Sequence, residues 1–369
     1  MKDERSNAPA EPAYLRLYAR LRDGIVRGVY PLNTRMPSKR VTAEETGLST
    51  VTVEHAYALL CDEGYVEARQ RSGYFVVFRS EDAFALPGEG GRRAPPVRSH
   101  GETAEDFPFS VLARTMRGVI SDYGPDILSL SPGGGCRELR QALCRYLAQS
   151  RGIETEPERI VVGAGAEYLY GLVVGLLGRE RVYGIESPSY RMIEQVYRSL
   201  GVSYEKLPLG AQGIDSGALR STGAQVLHIT PYRSFPSGVT ASASKRHEYL
   251  RWVAAPGRYL VEDDFESEFS LLRKPEDTLF SLAPTENVLY LNTFSRTLSP
   301  SLRIGYLLLP GPLLPVYRER YGDHAGTVST YMQLVLARLI DSGDFERHIN
   351  RVRRRKRREA EAGEKNIQE

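Results

Sequence analysis

Ser295, Arg296 and Arg303 form the clearest chemical centre in the chain: a hydroxyl-bearing turn with two guanidiniums seven residues apart. Guanidinium forks and hydroxyls are the groups that bind phosphates and carboxylates. The apolar run 288–291 ahead of them reads as a buried strand, 292–295 as a polar turn, and a second strand-like run begins at Arg303.

Further candidate groups occur along the same part of the chain. Gly163, Ala164, Gly165 and Ala166 join a strand-like run (Ile160, Val161, Val162) to a helical pattern reaching about Leu177. Small residues there let backbone N–H groups face an anion at a helix N-terminus. Taken alone the turn is a weak signal, since small residues also serve steric ends, and the G-x-G-x-x-G spacing is not met. Glu186 and Tyr190 follow the strand-like run 181–185, and a polar turn, 230–238, follows another at 226–229. Glu262, Asp263, Asp264, Glu266 and Glu268 crowd the end of a strand that starts at Tyr259. Such crowding requires a neutralising cation or exposure to solvent. A phosphate cradle, an aromatic platform, a strand-end acid and a cationic turn together suit pyridoxal 5'-phosphate: the ring stacks, its nitrogen takes an acid, and its phosphate takes N–H, hydroxyl and Arg.

Alternating helices and strands must position these groups. The expected fold class is therefore α/β, a mainly parallel sheet flanked by helices, over residues 107–369. Residues 80–106, rich in Pro, Gly and charge without periodicity, read as a flexible linker. Residues 12–79 read as a separate head. Tyr14, Leu17, Tyr18, Leu21 and Ile25 share one helical face, Ser38 caps a short helix ending near Gly47, and Ser49 caps a longer one. Strand-like runs on either side of Arg69, Arg71 and Gly73 complete a winged helix-turn-helix. In that geometry Ser49, Thr50, Thr52 and His55 face base edges and phosphates of double-stranded DNA. Lys39 and Arg40 suit phosphate contacts, and the wing's Arg69 and Arg71 suit phosphates or the minor groove, with Gly73 allowing close approach.

Composition sets bounds on this reading. A chain of 369 residues fits one small and one large domain, and a net charge of +3 makes any basic surface local. Cys61, Cys136 and Cys144 are scattered without nearby histidines, so neither a disulfide framework nor a metal site is expected. With no membrane-length apolar run and a charged N-terminus, a soluble cytoplasmic protein is expected. The Arg-rich stretch 347–358 reads first as a solvated helix anchored by Ile349 and Val352, and second as a DNA-touching helix.

The runs Met36-Pro-Ser-Lys-Arg-Val-Thr-Ala, Gly47-Leu-Ser-Thr-Val-Thr-Val and Ser72-Gly-Tyr-Phe-Val resemble the GntR-type winged head. Gly163-Ala-Gly-Ala-Glu-Tyr-Leu, Phe235-Pro-Ser-Gly, Glu262-Asp-Asp-Phe-Glu-Ser-Glu-Phe and Leu298-Ser-Pro-Ser-Leu-Arg resemble the type I fold of class I/II aminotransferases. The combination is similar to the MocR-like regulators, in which both parts share one chain. The resemblance implies a DNA-binding transcriptional regulator, a homodimer with an effector-sensing body that takes an amine or amino acid. A working pyridoxal-phosphate-dependent aminotransferase is the alternative. It also implies that Tyr190 stacks on the cofactor ring and that Asp263, rather than Asp264, pairs with the ring nitrogen. Ala164, Gly165, Ser295 and Arg303 would hold the phosphate. The sequence departs from the pattern at Thr50 (usually Arg), Ala166 (a hydroxyl), Phe265 (Tyr) and Arg296, where the Schiff-base lysine belongs. A guanidinium stays protonated and does not form the usual imine, so covalent attachment of the cofactor to this chain is not expected. The resemblance further implies that the small C-terminal domain is incomplete in a chain ending at Glu369.

Overall fold

The computed structural model describes residues 12–69, 72–79, 107–264, 266–270 and 277–368, the last eight by backbone alone. The chain divides into two compact units, Met1–Val97 and Arg98–Glu369. The linker at 80–106, Arg71 of the wing and Phe265 lie outside the described residues.

In the first unit, α1 (Ala13–Val26), α2 (Lys39–Thr46) and α3 (Thr50–Asp62) precede a hairpin of β1 (Val66–Arg69) and β2 (Gly73–Val76). The hydroxyls of Ser38 and Ser49 accept from the backbone N–H of Val41 and Thr52, so each polar cap satisfies a donor that the first helical turn leaves open. Gly47, between α2 and α3, sits at φ 67°, a left-handed conformation that glycine adopts without a Cβ penalty. Leu17, Leu21 and Ile25 of α1 meet Val53, Ala56, Tyr57 and Leu60 of α3, with Val66 and Val76 closing the core from the hairpin.

The second unit opens with α4 (Phe109–Tyr123) and α5 (Arg137–Arg151), then β3 (Ile160–Gly163), α6 (Ala166–Leu177), β4 (Tyr183–Ser187) and α7 (Arg191–Ser199). It continues with β5 (Tyr204–Gly210), β6 (Gly213–Ile214), α8 (Ser216–Ser221), β7 (Val226–Ile229), α9 (Ala243–Val253), β8 (Tyr259–Asp263) and α10 (Leu279–Leu282). It ends with β9 (Val288–Thr293), β10 (Gly305–Leu308), α11 (Leu313–Tyr321), α12 (Thr330–Asp341) and α13 (Asp344–Gln368). The strands make one eight-stranded sheet in the order β3-β10-β9-β8-β7-β4-β5-β6. Pairing is parallel from β9 through β5, and antiparallel where β10 inserts between β3 and β9 and where β6 returns along β5.

Helices cover both faces of this sheet, which is why its strands are apolar at consecutive positions. Ile160, Val162, Tyr290 and Tyr306 point into one core with α5 and α12, while Val161, Leu289, Leu291 and Leu307 point into another with α6. Strand β9 runs two residues past the expected 288–291. Asn292 and Thr293 are paired in register with Tyr306 and Gly305, and both are buried. The sequence predicts a turn for this polar pair, but the Asn292 amide donates to Glu268 at 2.7 Å and so needs no solvent.

Candidate functional sites

Strand register gathers the candidate groups of the second unit at one sheet edge. Gly305 pairs with Gly163 on one side and Thr293 on the other, so the 163–166 turn, the 293–303 turn and Arg303 share a corner. Asp263 pairs with Leu291 on the next strand, and β7 and β4, which precede the 230–238 turn and Tyr190, run parallel beyond it. That edge collects strand C-termini, the usual place for ligands in α/β sheets.

At the corner, Gly165 caps α6 with φ 82° and no side chain occupies the helix N-terminus as a cap. A Cβ at Gly165 would stand 3.2 Å from the guanidinium carbon of Arg303, so glycine lets this arginine approach the turn. Arg303 itself adopts φ 49° and its Nη2 lies 2.8 Å from Glu167 Oε2, both side chains about half exposed. The Ala164 N–H donates to Thr327 Oγ1 at 3.1 Å, Ala166 is the first residue of α6, and Ser295 is half-buried. The ring platform is more open. Tyr190 is exposed and meets Phe235 edge-on at 6.1 Å between centroids.

The five crowded carboxylates are all buried, between 3% and 8% exposed, so none is excused by solvent. Each has its own compensation. Glu262 accepts the Leu279 and Phe280 N–H groups, both at 2.8 Å. Asp264 Oδ2 lies 2.8 Å from Arg151 Nη2 and accepts the Tyr290 hydroxyl at 2.6 Å. Glu266 meets Arg296, whose Nε donates to Oε1 at 3.0 Å, with Arg233 at 3.9 Å. Glu268 accepts Asn292. Burial, with Asp264 nearby, still pushes the Glu262 carboxyl up to about 7, and desolvation raises Glu268 as well.

Like Glu268, whose Oε2 is buried without a hydrogen-bond partner among the described residues, Asp263 keeps one oxygen open. Its Oδ2 accepts the Tyr170 hydroxyl at 2.5 Å and lies 3.5 Å from His228 Nε2. Its Oδ1 is buried with no hydrogen-bond partner among the described residues. His228 Nδ1 is 2.7 Å from the Tyr197 hydroxyl, which fixes the ring beside Asp263. An orphaned buried carboxylate oxygen at a strand end is costly unless a cationic donor fills it. Arg151, Tyr170 and His228 do not stand out in the sequence as part of the site, whereas Glu266 belongs to the carboxylate run already singled out. The sequence neighbourhoods of Arg151, Tyr170 and His228 look like ordinary helix and strand, and only the fold brings them to Asp263 and Asp264.

In the first unit, Ser49, Thr50 and His55 are exposed on the N-terminal part of α3 and Thr52 is half-buried. The Ser49 and Thr52 hydroxyls lie 2.8 Å apart, and His55 sits edge-on to Tyr14. Arg40 is exposed at the start of α2, whereas Lys39 Nζ is 2.6 Å from Glu54 on α3. Arg69 pairs with Glu67 at 3.2 Å and lies over the Phe75 ring, and Gly73 opens β2 with φ 98°. No helix among the described residues is long and apolar enough to cross a membrane, and no group of three His, Cys, Asp or Glu there could hold a metal.

A winged head joined to a sheet of this order defines a two-part regulator with an aminotransferase-type body. Residues 13–76 match the family described as bacterial regulatory proteins, gntR family, and residues 104–362 match aminotransferase class I and II. An uncharacterized HTH-type transcriptional regulator of Bacillus subtilis, YdeL, is 31% identical over 359 residues, covering 93% of this chain and 76% of that protein. The HTH-type pyridoxine biosynthesis transcriptional regulator PdxR of Corynebacterium glutamicum is 29% identical over 354 residues, covering 94% and 77%. Among solved structures, the α-aminoadipate aminotransferase LysN of Thermus thermophilus, complexed with N-(5'-phosphopyridoxyl)-L-leucine, superposes with a TM-score of 0.62. It is 27% identical, over 72% of this chain and 68% of that one. Solved structures of this fold are spanned over 64 to 72% of their length. The chain belongs to the MocR-like branch of the GntR family: it is a DNA-binding transcriptional regulator with an aminotransferase-like domain. Relatives named as regulators do not favour the aminotransferase alternative.

Proposed function

We propose that residues 12–79 read an operator, that 80–106 link them to the body, and that the body, 107–369, takes pyridoxal 5'-phosphate and an amine or amino-acid effector. Asp263 carries this reading. Its unpartnered Oδ1 is what a protonated ring nitrogen would fill, and the Tyr170 hydroxyl holds the carboxylate for that contact, with His228 beside it. Ala164, Gly165, Ser295 and Arg303 would hold the phosphate, at a helix N-terminus where anions are favoured. Tyr190 would cover the ring. When bound, the cofactor supplies an aldehyde that amines can engage. Arg296 does not fit that role: its guanidinium is charged and tied to Glu266. The body is thus read as a sensor rather than a working transaminase.

On the head, Ser49, Thr50, Thr52 and His55 would enter the major groove. Lys39, Arg40, Arg69 and Gly73 would line phosphates together with Arg71, which lies outside the described residues. A homodimer in the cytoplasm is part of the same reading, since winged heads read paired half-sites. Exposed Phe109 (78%) and Leu128 (85%) on the body support an apolar contact with a second copy. Melting the full chain with and without pyridoxal phosphate tests the cofactor reading, because a ligand that binds only the folded state raises the midpoint. A rise in the wild type that shrinks in Asp263→Asn is expected, and an unchanged wild-type midpoint would refute it.

A further inference from the structure

The inward stripe of α13 ends on a lysine. Phe345, Ile349 and Val352 are buried at i, i+4 and i+7, and Lys356 follows at i+11 on the same face. An apolar residue would continue the stripe. Instead an amine is carried inward, with Lys356 Nζ 4.9 Å from the centre of the Phe269 ring. Phe269 ends the short turn 267–269 that follows the carboxylate run, and α13 is anchored to that turn by Arg353 Nε, which donates to the Glu268 carbonyl at 2.5 Å. The charges acting on the amine are Glu266, Arg233, Arg296 and Arg355, so it stands in the cluster that contains the residue in the Schiff-base position. Two other lysines of this unit have described side chains. Lys206 lies 2.8 Å from Glu194, and Lys245 donates to Ser216 and Glu248.

Burial disfavours the ammonium form of Lys356, and the guanidiniums of Arg233, Arg296 and Arg355 add to that, against the pull of Glu266. Its pKa is lowered, which raises the share of neutral amine available as a nucleophile. A lysine 60 positions from Arg296 in sequence (356 − 296) is invisible to any reading by register along the turn.

We infer that Lys356 Nζ, arriving from α13, is the amine that engages the aldehyde of a pyridoxal phosphate bound at Asp263 and Arg303. This rests on the cofactor reading above. The neutral amine attacks the aldehyde carbon, its two N–H protons leave with the aldehyde oxygen as water, and a carbon–nitrogen double bond remains. No oxidant or reductant is required.

The test uses the full chain. Pyridoxal phosphate binding is measured by equilibrium dialysis. The complex is then reduced with borohydride, digested, and the pyridoxyl-bearing lysine located by mass spectrometry. The expected result is a label concentrated on Lys356, and affinity roughly tenfold or more weaker in Lys356→Met. Methionine keeps the stem and the apolar stripe, and the melting midpoint of that variant without ligand reports whether it folds. Bound cofactor with the label absent, or spread over Lys39 and Lys206, overturns the inference and leaves the cofactor reading standing. Absence of bound cofactor overturns both.

Discussion

Asp264 and Arg151 face each other at 2.8 Å inside the body, both almost fully buried, while the neighbouring Asp263 keeps one oxygen unpartnered among the described residues. Adjacent carboxylates thus have opposite assignments, one spent on the fold and one available to a ligand. Removing one partner of a buried ion pair strands the other charge, which costs about 3–5 kcal/mol. Asp264→Asn should therefore lower the stability of the body by that amount in denaturant titrations. Asp263→Asn should cost far less stability and show its effect in pyridoxal phosphate affinity.

Position 296 sets the chemistry at the corner. In the Lys356→Met background, Arg296→Lys should recover a borohydride-trappable pyridoxyl label, now at residue 296, because an amine can be made neutral where a guanidinium cannot. Peptide mapping reads this directly. No label at 296 despite bound cofactor would mean that the turn is not positioned as proposed.

Stability of the body should fall as pH rises. Burial lifts Glu186 to about 8 from an ordinary 4.5, although the Ser234 hydroxyl donates to it at 2.5 Å. The folded state then holds this proton while the unfolded state has released it, so the contribution is complete below 4.5 and is lost as pH climbs through about 8. Glu262, raised to about 7, acts in the same direction. Each such group gives a slope of up to about 1.4 kcal/mol per pH unit. Glu186→Gln should flatten the fall in melting midpoint across this window, and a slope equal to that of the wild type would contradict the assignment.

The head offers a cleaner split between folding and binding. Ser38→Ala removes the α2 cap and should cost about 1 kcal/mol of head stability. Arg40→Gln leaves the fold alone and should reduce the slope of log affinity against log salt by about one phosphate contact.

How far these features could be read beforehand depends on how local they are. The head was legible because its signals are local: serine caps, the glycine at position 47 and one apolar stripe per helix. In the body, strands buried on both faces stood out as apolar runs, while β5, with Glu205, Lys206 and Pro208, did not look like a strand at all. The glycine turn, Tyr190, Asp263 and the 295–303 turn could be named one by one. Their meeting depends on the antiparallel insertion of β10 between β3 and β9, and no single segment encodes that. The compensation of the buried acids was similarly hidden, because Arg151 is more than a hundred residues away from Asp264 (264 − 151 = 113).

Binding of the full chain to duplex DNA from upstream of its own coding sequence, followed across salt from about 50 to about 300 mM, tests the regulator reading most directly. The expected result is tighter binding than to unrelated duplex, with log affinity falling linearly as log salt rises. Folded protein that shows neither a preference for that duplex nor a salt-dependent affinity would contradict it.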